Sequence, residues 1–305
     1  SRMWPVHAGF VGNDALYLVD EAHLSQPFAA TAAAAADAGA GVRMIRLSAT
    51  LAGGEGQGLA LTPADLEHPV LAPRLQARKV ARLETAPDAD TQFAPHVADR
   101  AEELAGELEG PGGVIGVVVN RVRSARQVWE VLSRTHKGNA KLLIGPVRPH
   151  DRDTLMAELM PRIRAGRERG EGELLFIVAT QTIEVGADLD FDALVTEAAP
   201  LSSLRQRFGR VDRLGERGRS RAWILAREKQ VDPDSAHKAP VYGADLQQAW
   251  QWLQAVAGEE GEVDFGVHAF ACLADAQPLP GEVPVHCPPL LPAPSPPWRS
   301  SYNSS

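Results

Sequence analysis

Short apolar runs recur along this chain, several of them followed by a helix-like stretch and most of them ending in polar residues. "ALYLVD" and "VRMIRL" come first; "GGVIGVVVN", "AKLLIG", "ELLFIVAT", "FDALVTEAA" and "RAWILA" follow. Runs this short and this continuously apolar read as strands buried on both faces, the pattern of a parallel sheet. Between them, "QPFAATAAAAADAG" is alanine-rich and closed by Gly39, and "SARQVWEVLSR" is amphipathic. Residues 151–165 and the stretch around "SSLRQRFGRVDR" also read as helical. Strands alternating with helices fix the class as α/β, and in open sheets of that kind ligands collect outside the strand C-terminal ends.

The alternation falls into two series. A Gly-rich loop, "LAGGEGQG", and a proline-punctuated stretch to about residue 95 separate them. The expected organisation is residues 1–75 as the C-terminal part of a first lobe, 76–95 as a linker and 96–235 as a second lobe. Residues 236–305 are expected to form a C-terminal extension, partly disordered at its Pro- and Ser-rich end, "PPLLPAPSPPWRSSYNSS". A chain of 305 residues with 44% hydrophobic content can bury a core in each lobe. A net charge of −8 argues against coating nucleic acid by bulk charge, though it leaves room for a local basic groove. Two cysteines, Cys272 and Cys287, make a disulfide framework a poor fit and suit a cytoplasmic setting. No apolar run is long enough to span a membrane, so no membrane partner is expected.

Polar residues at the strand ends carry the chemistry. The first strand closes on Asp20 and Glu21, with His23 just beyond. Adjacent carboxylates repel and are costly to desolvate unless a cation sits nearby, and Mg2+ would remove that cost. Next come Ser48-Ala49-Thr50 after the second strand, Thr180 at the end of another, a Gly186-x-Asp188 turn, and "QRFGRVDR". Taken singly each is weak: a run of arginines is usually a solvated helix face, and small polar residues often end strands.

In this order and company the motifs resemble those of superfamily 2 helicases, whose two RecA-like parallel-sheet lobes hold ATP in the cleft between them. "DEAH" resembles their motif II, "SAT" motif III, "VATQTIEVGADLDFD" motif V and "QRFGRVDR" motif VI. The finer wording of "RMWPVHAGFVGNDALYLVDEAHLSQPF", "LLIGPVRPHDRD" and "ATQTIEVGADLDFDALVTEAAPLSSLRQRFGRVDRLGERG" is similar to the CRISPR-associated helicase/nuclease of type I systems, subtype U/G. That resemblance implies an ATP-dependent, Cascade-recruited translocase on single-stranded DNA in antiviral interference, moving 3′ to 5′.

The resemblance also implies roles by residue. Asp20 holds Mg2+ through water and Glu21 orients or deprotonates the attacking water, while His23 links the site to the second lobe. Arg210 and Arg213 act as arginine fingers; a helix running through both puts them on one face, with Gln206 one turn earlier. Arg205 and Arg207 lie off that face and are expected to be structural or DNA-facing. Gly186 and Asp188 are placed at the nucleotide, Gly186 permitting a tight turn and Asp188 reaching the ribose or a finger arginine; Ser48 and Thr50 couple hydrolysis to lobe movement, and Asn120, Arg121, Thr180 and Gln181 touch the DNA backbone.

Two other groupings carry no site. His150-Asp151 lacks further metal ligands nearby, and His268, Cys272, His286 and Cys287 match no zinc spacing. No G-x-x-x-x-G-K-[ST] loop occurs, so the chain is expected to be a fragment lacking the Walker A loop and the nuclease domain, inactive by itself, with an incomplete first lobe. A different superfamily 2 DNA or RNA motor, or a non-catalytic remnant acting as a binding module, are the alternatives.

Overall fold

The computed structural model describes residues 13–22, 26–37, 41–47, 62–108, 112–145, 148–169, 172–184, 188–232, 234–235 and 240–281. The chain divides into two compact units, residues 1–57 with 283–305, and residues 58–282.

In the first unit β1 (Ala15–Val19) pairs in parallel with β2 (Val42–Arg46), and α1 (Gln26–Asp37) connects them. Ala15 lies opposite Val42 and Val19 opposite Arg46. Side chains alternate across the pleat. Tyr17 meets the Phe28 ring of α1 edge-on at 5.5 Å, whereas Leu16, Leu18 and Ile45 are exposed.

The second unit is a seven-stranded sheet in the order β5-β6-β4-β7-β8-β3-β9. Its members are β3 (Arg78–Ala86), β4 (Val114–Val118), β5 (Ala140–Leu143), β6 (Leu175–Ala179), β7 (Ala193–Glu197), β8 (Arg219–Arg227) and β9 (Glu262–Asp264). Every neighbouring pair is parallel except β3 with β9. β4, β6 and β7 are buried on both faces, so β4 and β6 read as unbroken apolar runs and β7 as an apolar run that ends in buried Thr196 and Glu197. One face receives α4 (Asp90–Glu107) and α5 (Val122–Thr135), which bring Phe93, Val97, Leu104, Val128 and Leu132 onto Ile115, Val117, Phe176 and Val195. The other face receives α6 (Pro149–Ile163), α7 (Leu201–Phe208), α9 (Ala244–Val256) and α10 (Val267–Ala276), through Leu159, Ile163, Leu204, Phe208, Trp250 and Phe270. Three shorter helices complete the unit: α2 (Pro63–Glu67), α3 (Ala72–Gln76) and α8 (Glu228–Val231).

The two-lobe α/β reading thus holds at the level of a mixed α/β chain with a mostly parallel central sheet, and two expected boundaries are corrected. Residues 76–95 are not a linker. Residues 78–86 form β3, paired to β8 along its whole length, with Val80, Ala81 and Ala86 buried, and α4 starts at Asp90. Charged Arg78, Lys79, Arg82 and Glu84 interrupt this strand, so it carries no apolar run to find. Residues 240–281 are likewise not an appendage. They supply β9 and the rings of Phe265, stacked on Phe208 at 4.0 Å, and Phe270, stacked on Phe265 at 5.1 Å. The expected disordered tail lies outside the described residues.

Candidate functional site

In the first unit, β1 runs out into Asp20 and Glu21. Glu21 takes a φ of +47°, a left-handed turn conformation uncommon for a residue with a Cβ. The turn lets the Glu21 N–H donate to Asp20 Oδ1 at 2.9 Å. Asp20 is exposed and Glu21 half-buried, while Ala22 beside them is buried. Among the described residues no three His, Cys, Asp or Glu side chains gather to cage a metal ion. A solvent-facing carboxylate at a strand end suits Mg2+, which keeps waters and phosphate oxygens as its main ligands. His23, Ser48, Thr50 and Gly186 lie outside the described residues.

In the second unit the expected residues converge on the C-terminal ends of β4, β6 and β7. β4 leads into Asn120 and Arg121, β6 into Thr180 and a single 3-10 turn over Gln181–Ile183, and β7 into Ala198. Asn120 is turned inward: its Nδ2 donates to the Ala198 carbonyl at 2.8 Å and its Oδ1 accepts from Arg207 at 3.0 Å. Thr180 is buried too. Arg121 is half-buried at the start of α5, and half-buried Gln181 donates from Nε2 to the Asn120 carbonyl at 3.1 Å. Of the four residues expected to touch the DNA backbone, Asn120 and Thr180 are thus buried, while Arg121 and Gln181 are half-buried on the same strand-end loops.

The expectation of a helix face shared by Arg210 and Arg213 is also corrected. α7 ends at Phe208, and Gly209 and Arg210 form a turn. Beyond it the chain is drawn alongside Phe191: the Phe191 N–H donates to the Arg210 carbonyl and the Asp212 N–H to the Phe191 carbonyl. Two bonds into a neighbouring extended segment outcompete another helical turn. Gln206 stays in the last turn of α7, half-buried. Arg210 donates from Nε to the Ile183 carbonyl at 3.2 Å and from Nη2 to the Glu184 carbonyl at 2.8 Å. Exposed Arg213 pairs with Asp188, Nη1 to Oδ1, at 2.8 Å. Arg210 thus rests on Ile183 and Glu184, and Arg213 on Asp188.

Three supports hold these segments: Arg207, expected to be structural or DNA-facing, and two that the sequence reading did not single out. Arg207 is wholly buried and bonds to Glu184, Thr196, Asn120 and Tyr242. Arg167 and Arg169 clamp Asp190 and Asp192, and Asp190 Oδ1 in turn accepts the Arg213 N–H at 2.8 Å. Lys79 of β3 caps α7, donating from Nζ to the Phe208 carbonyl at 3.0 Å. Burial pushes the Lys79 ammonium below its ordinary value, and Asp212 and Asp190 resist that shift. The one sequence signal for this scaffold is the alternation of acids in "DLDFD", which sends Asp190 and Asp192 to the arginine clamp.

The arrangement offers two cationic side chains on a rim above strand ends, held by backbone carbonyls and one exposed carboxylate. Guanidinium forks so placed are suited to phosphate oxygens.

Residues 111–216 match a family model described as CRISPR-associated nuclease/helicase Cas3, C-terminal. A curated CRISPR-associated nuclease/helicase Cas3 from Streptococcus thermophilus is 31% identical over 103 residues, 33% of this chain and 11% of that protein. The crystal structure of T. fusca Cas3 with ATP superposes with a TM-score of 0.50 at 21% identity, covering 66% of this chain and 23% of that one. The ADP-bound form of T. fusca Cas3 gives a TM-score of 0.46 at 23% identity, over 60% of this chain and 22% of its own. The chain therefore spans about a tenth of the curated relative and less than a quarter of the T. fusca chain. The family match and the curated relative support a Cas3-type superfamily 2 helicase; the superposition supports its α/β fold.

Proposed function

We propose that this chain supplies part of an ATP-driven motor that translocates on single-stranded DNA in type I CRISPR interference, alongside a Cascade-type effector complex in the cytoplasm. The observation that carries the reading is the seating of Arg210 on Ile183 and Glu184 and of Arg213 on Asp188, within the span that matches the Cas3 C-terminal model. Among the described residues no helix is long and apolar enough to cross a membrane.

ATP is the substrate in this reading. Asp20 would hold Mg2+ through water, and the ion would neutralise charge on the phosphates. Glu21 would orient or deprotonate the attacking water. Arg210 and Arg213 would meet the phosphoryl group as its charge spreads, with Asp188 and Gly186 serving the nucleotide and Gln206 beside them. His23, Ser48 and Thr50 would couple turnover to movement. Phosphoryl transfer needs little covalent help, so positioning and charge carry the catalysis. Arg121 and Gln181 would contact nucleic acid on loops braced by Asn120 and Thr180, and contact with the backbone rather than the bases suits a motor that must pass any sequence.

The test is ATP hydrolysis by the complete gene product with oligodeoxythymidine or oligouridine as cofactor. Stimulation by the DNA strand, and much less by the RNA strand, is the expected result. Stimulation by RNA alone would replace this reading with an RNA helicase, and no nucleotide binding at all would leave a binding module.

A further inference from the structure

The Arg207 guanidinium is completely buried and spends all of its N–H donors inside the protein. Nε donates to Glu184 Oε1 at 2.8 Å. Nη1 donates to Thr196 Oγ1 at 2.8 Å and to the Glu197 carbonyl at 2.9 Å. Nη2 donates to Asn120 Oδ1 at 3.0 Å and to the Tyr242 hydroxyl at 3.1 Å. One side chain on α7 therefore joins the loop after β4, the turn after β6, the end of β7 and the segment before α9.

Glu184 is held from both ends. Arg207 grips its carboxylate and Arg210, three residues further along the chain, grips its carbonyl. The Glu184 N–H is donated to the Gln181 carbonyl, and the Gln181 amide reaches the Asn120 carbonyl. A path of direct hydrogen bonds thus runs from Arg210 through Glu184 and Arg207 to Asn120, and returns through Gln181. If Arg210 swings toward an anion, the Ile183 and Glu184 carbonyls lose its donors, and the turn that carries Gln181 must readjust against a guanidinium with no spare donor.

We propose that Arg207 and Glu184 form a buried relay that makes the grip of the Arg121 and Gln181 loops on single-stranded DNA depend on whether Arg210 is engaged by nucleotide. The inference rests on the functional reading above and goes beyond it, since it assigns the coupling to two positioning residues that need touch neither ligand. Coupling of this kind is reciprocal and is typically a ~5–150-fold change in affinity.

The experiment measures the dissociation constant of a fluorescent oligodeoxythymidine from the complete gene product, with and without a non-hydrolysable ATP analogue. The wild type is expected to show a ratio within roughly that range. Glu184→Gln keeps the side-chain shape and removes its charge, and Arg207→Lys keeps the charge and loses the fork. Both are expected to bring the ratio toward one, while the affinity for either ligand alone changes by only a few-fold. Val128→Ala in α5, which opens a small hole in the opposite layer, serves as a matched destabilised control and is expected to keep the wild-type ratio. Loss of the ratio in Val128→Ala as well would mean that general loosening explains the effect, and an intact ratio in Glu184→Gln would equally overturn the relay. If Arg207→Lys does not fold, Glu184→Gln carries the decision. A wild type that binds neither DNA nor the analogue would instead overturn the functional reading itself.

Discussion

Arg210→Ala in the complete gene product is expected to lower kcat for ATP hydrolysis by ~10³–10⁵-fold, the range over which arginine fingers act in phosphoryl transfer. The nucleotide dissociation constant should move far less, because a group that acts on developing charge stabilises the transition state more than bound ATP. The resting position of Arg210 supports that separation. Its guanidinium lies on the Ile183 and Glu184 carbonyls, so a contact with bound ATP forms in exchange for these bonds and adds little net affinity. Arg205 provides the contrast. It packs over the Phe270 ring at 5.5 Å, a contact that belongs to the core around α10, and Arg205→Ala should leave kcat nearly unchanged. Single-turnover hydrolysis and equilibrium nucleotide binding on both variants check this; equal losses in the two would remove the finger role from Arg210.

Glu21→Gln is expected to bind ATP with near wild-type affinity and to lose turnover by ~10²–10⁴-fold, the usual worth of a positioned general base. The substitution preserves length and hydrogen-bonding shape. It also asks nothing new of the backbone, since glutamine meets the same +47° φ that glutamate occupies. The Glu21 N–H bond to Asp20 Oδ1 involves the main chain and should survive, so the Asp20 side of the turn stays in place. A pre-steady-state trace with radiolabelled ATP separates binding from cleavage. Turnover within a few-fold of wild type would assign water activation to another residue.

The apolar runs were legible because β4, β6 and β7 are buried on both faces; Glu197, the charge that ends β7, is paired with Arg227. β3 was not, because half of it is charged and its place beside β8 is set by distant partners: Arg78 pairs with Asp264 and Arg82 with Glu262. β9, at three residues, is too short to carry a periodic signal. The motif arginines were found, but the helix through them was extended too far. A helical period continues through "RVDR" on paper, while the parallel bridge between Phe191 and Val211 that ends it is a tertiary contact. Arg207 shows the limit most plainly. Spacing leaves it open between a structural and a DNA-facing place, and its full burial rests on the Glu184 carboxylate together with Thr196, Asn120, the Glu197 carbonyl and Tyr242, all outside its own helix.

Translocation itself is the most direct test of the account. The complete gene product is loaded on single-stranded DNA of increasing length with a fluorophore at the 5′ end, and ATP is added in a stopped-flow mixer with a trap for released protein. The account calls for a lag before the fluorescence change that lengthens in proportion to strand length, requires hydrolysable ATP and vanishes in Glu21→Gln. A signal that appears without delay at every length, or that proceeds equally well with a non-hydrolysable analogue, would contradict it.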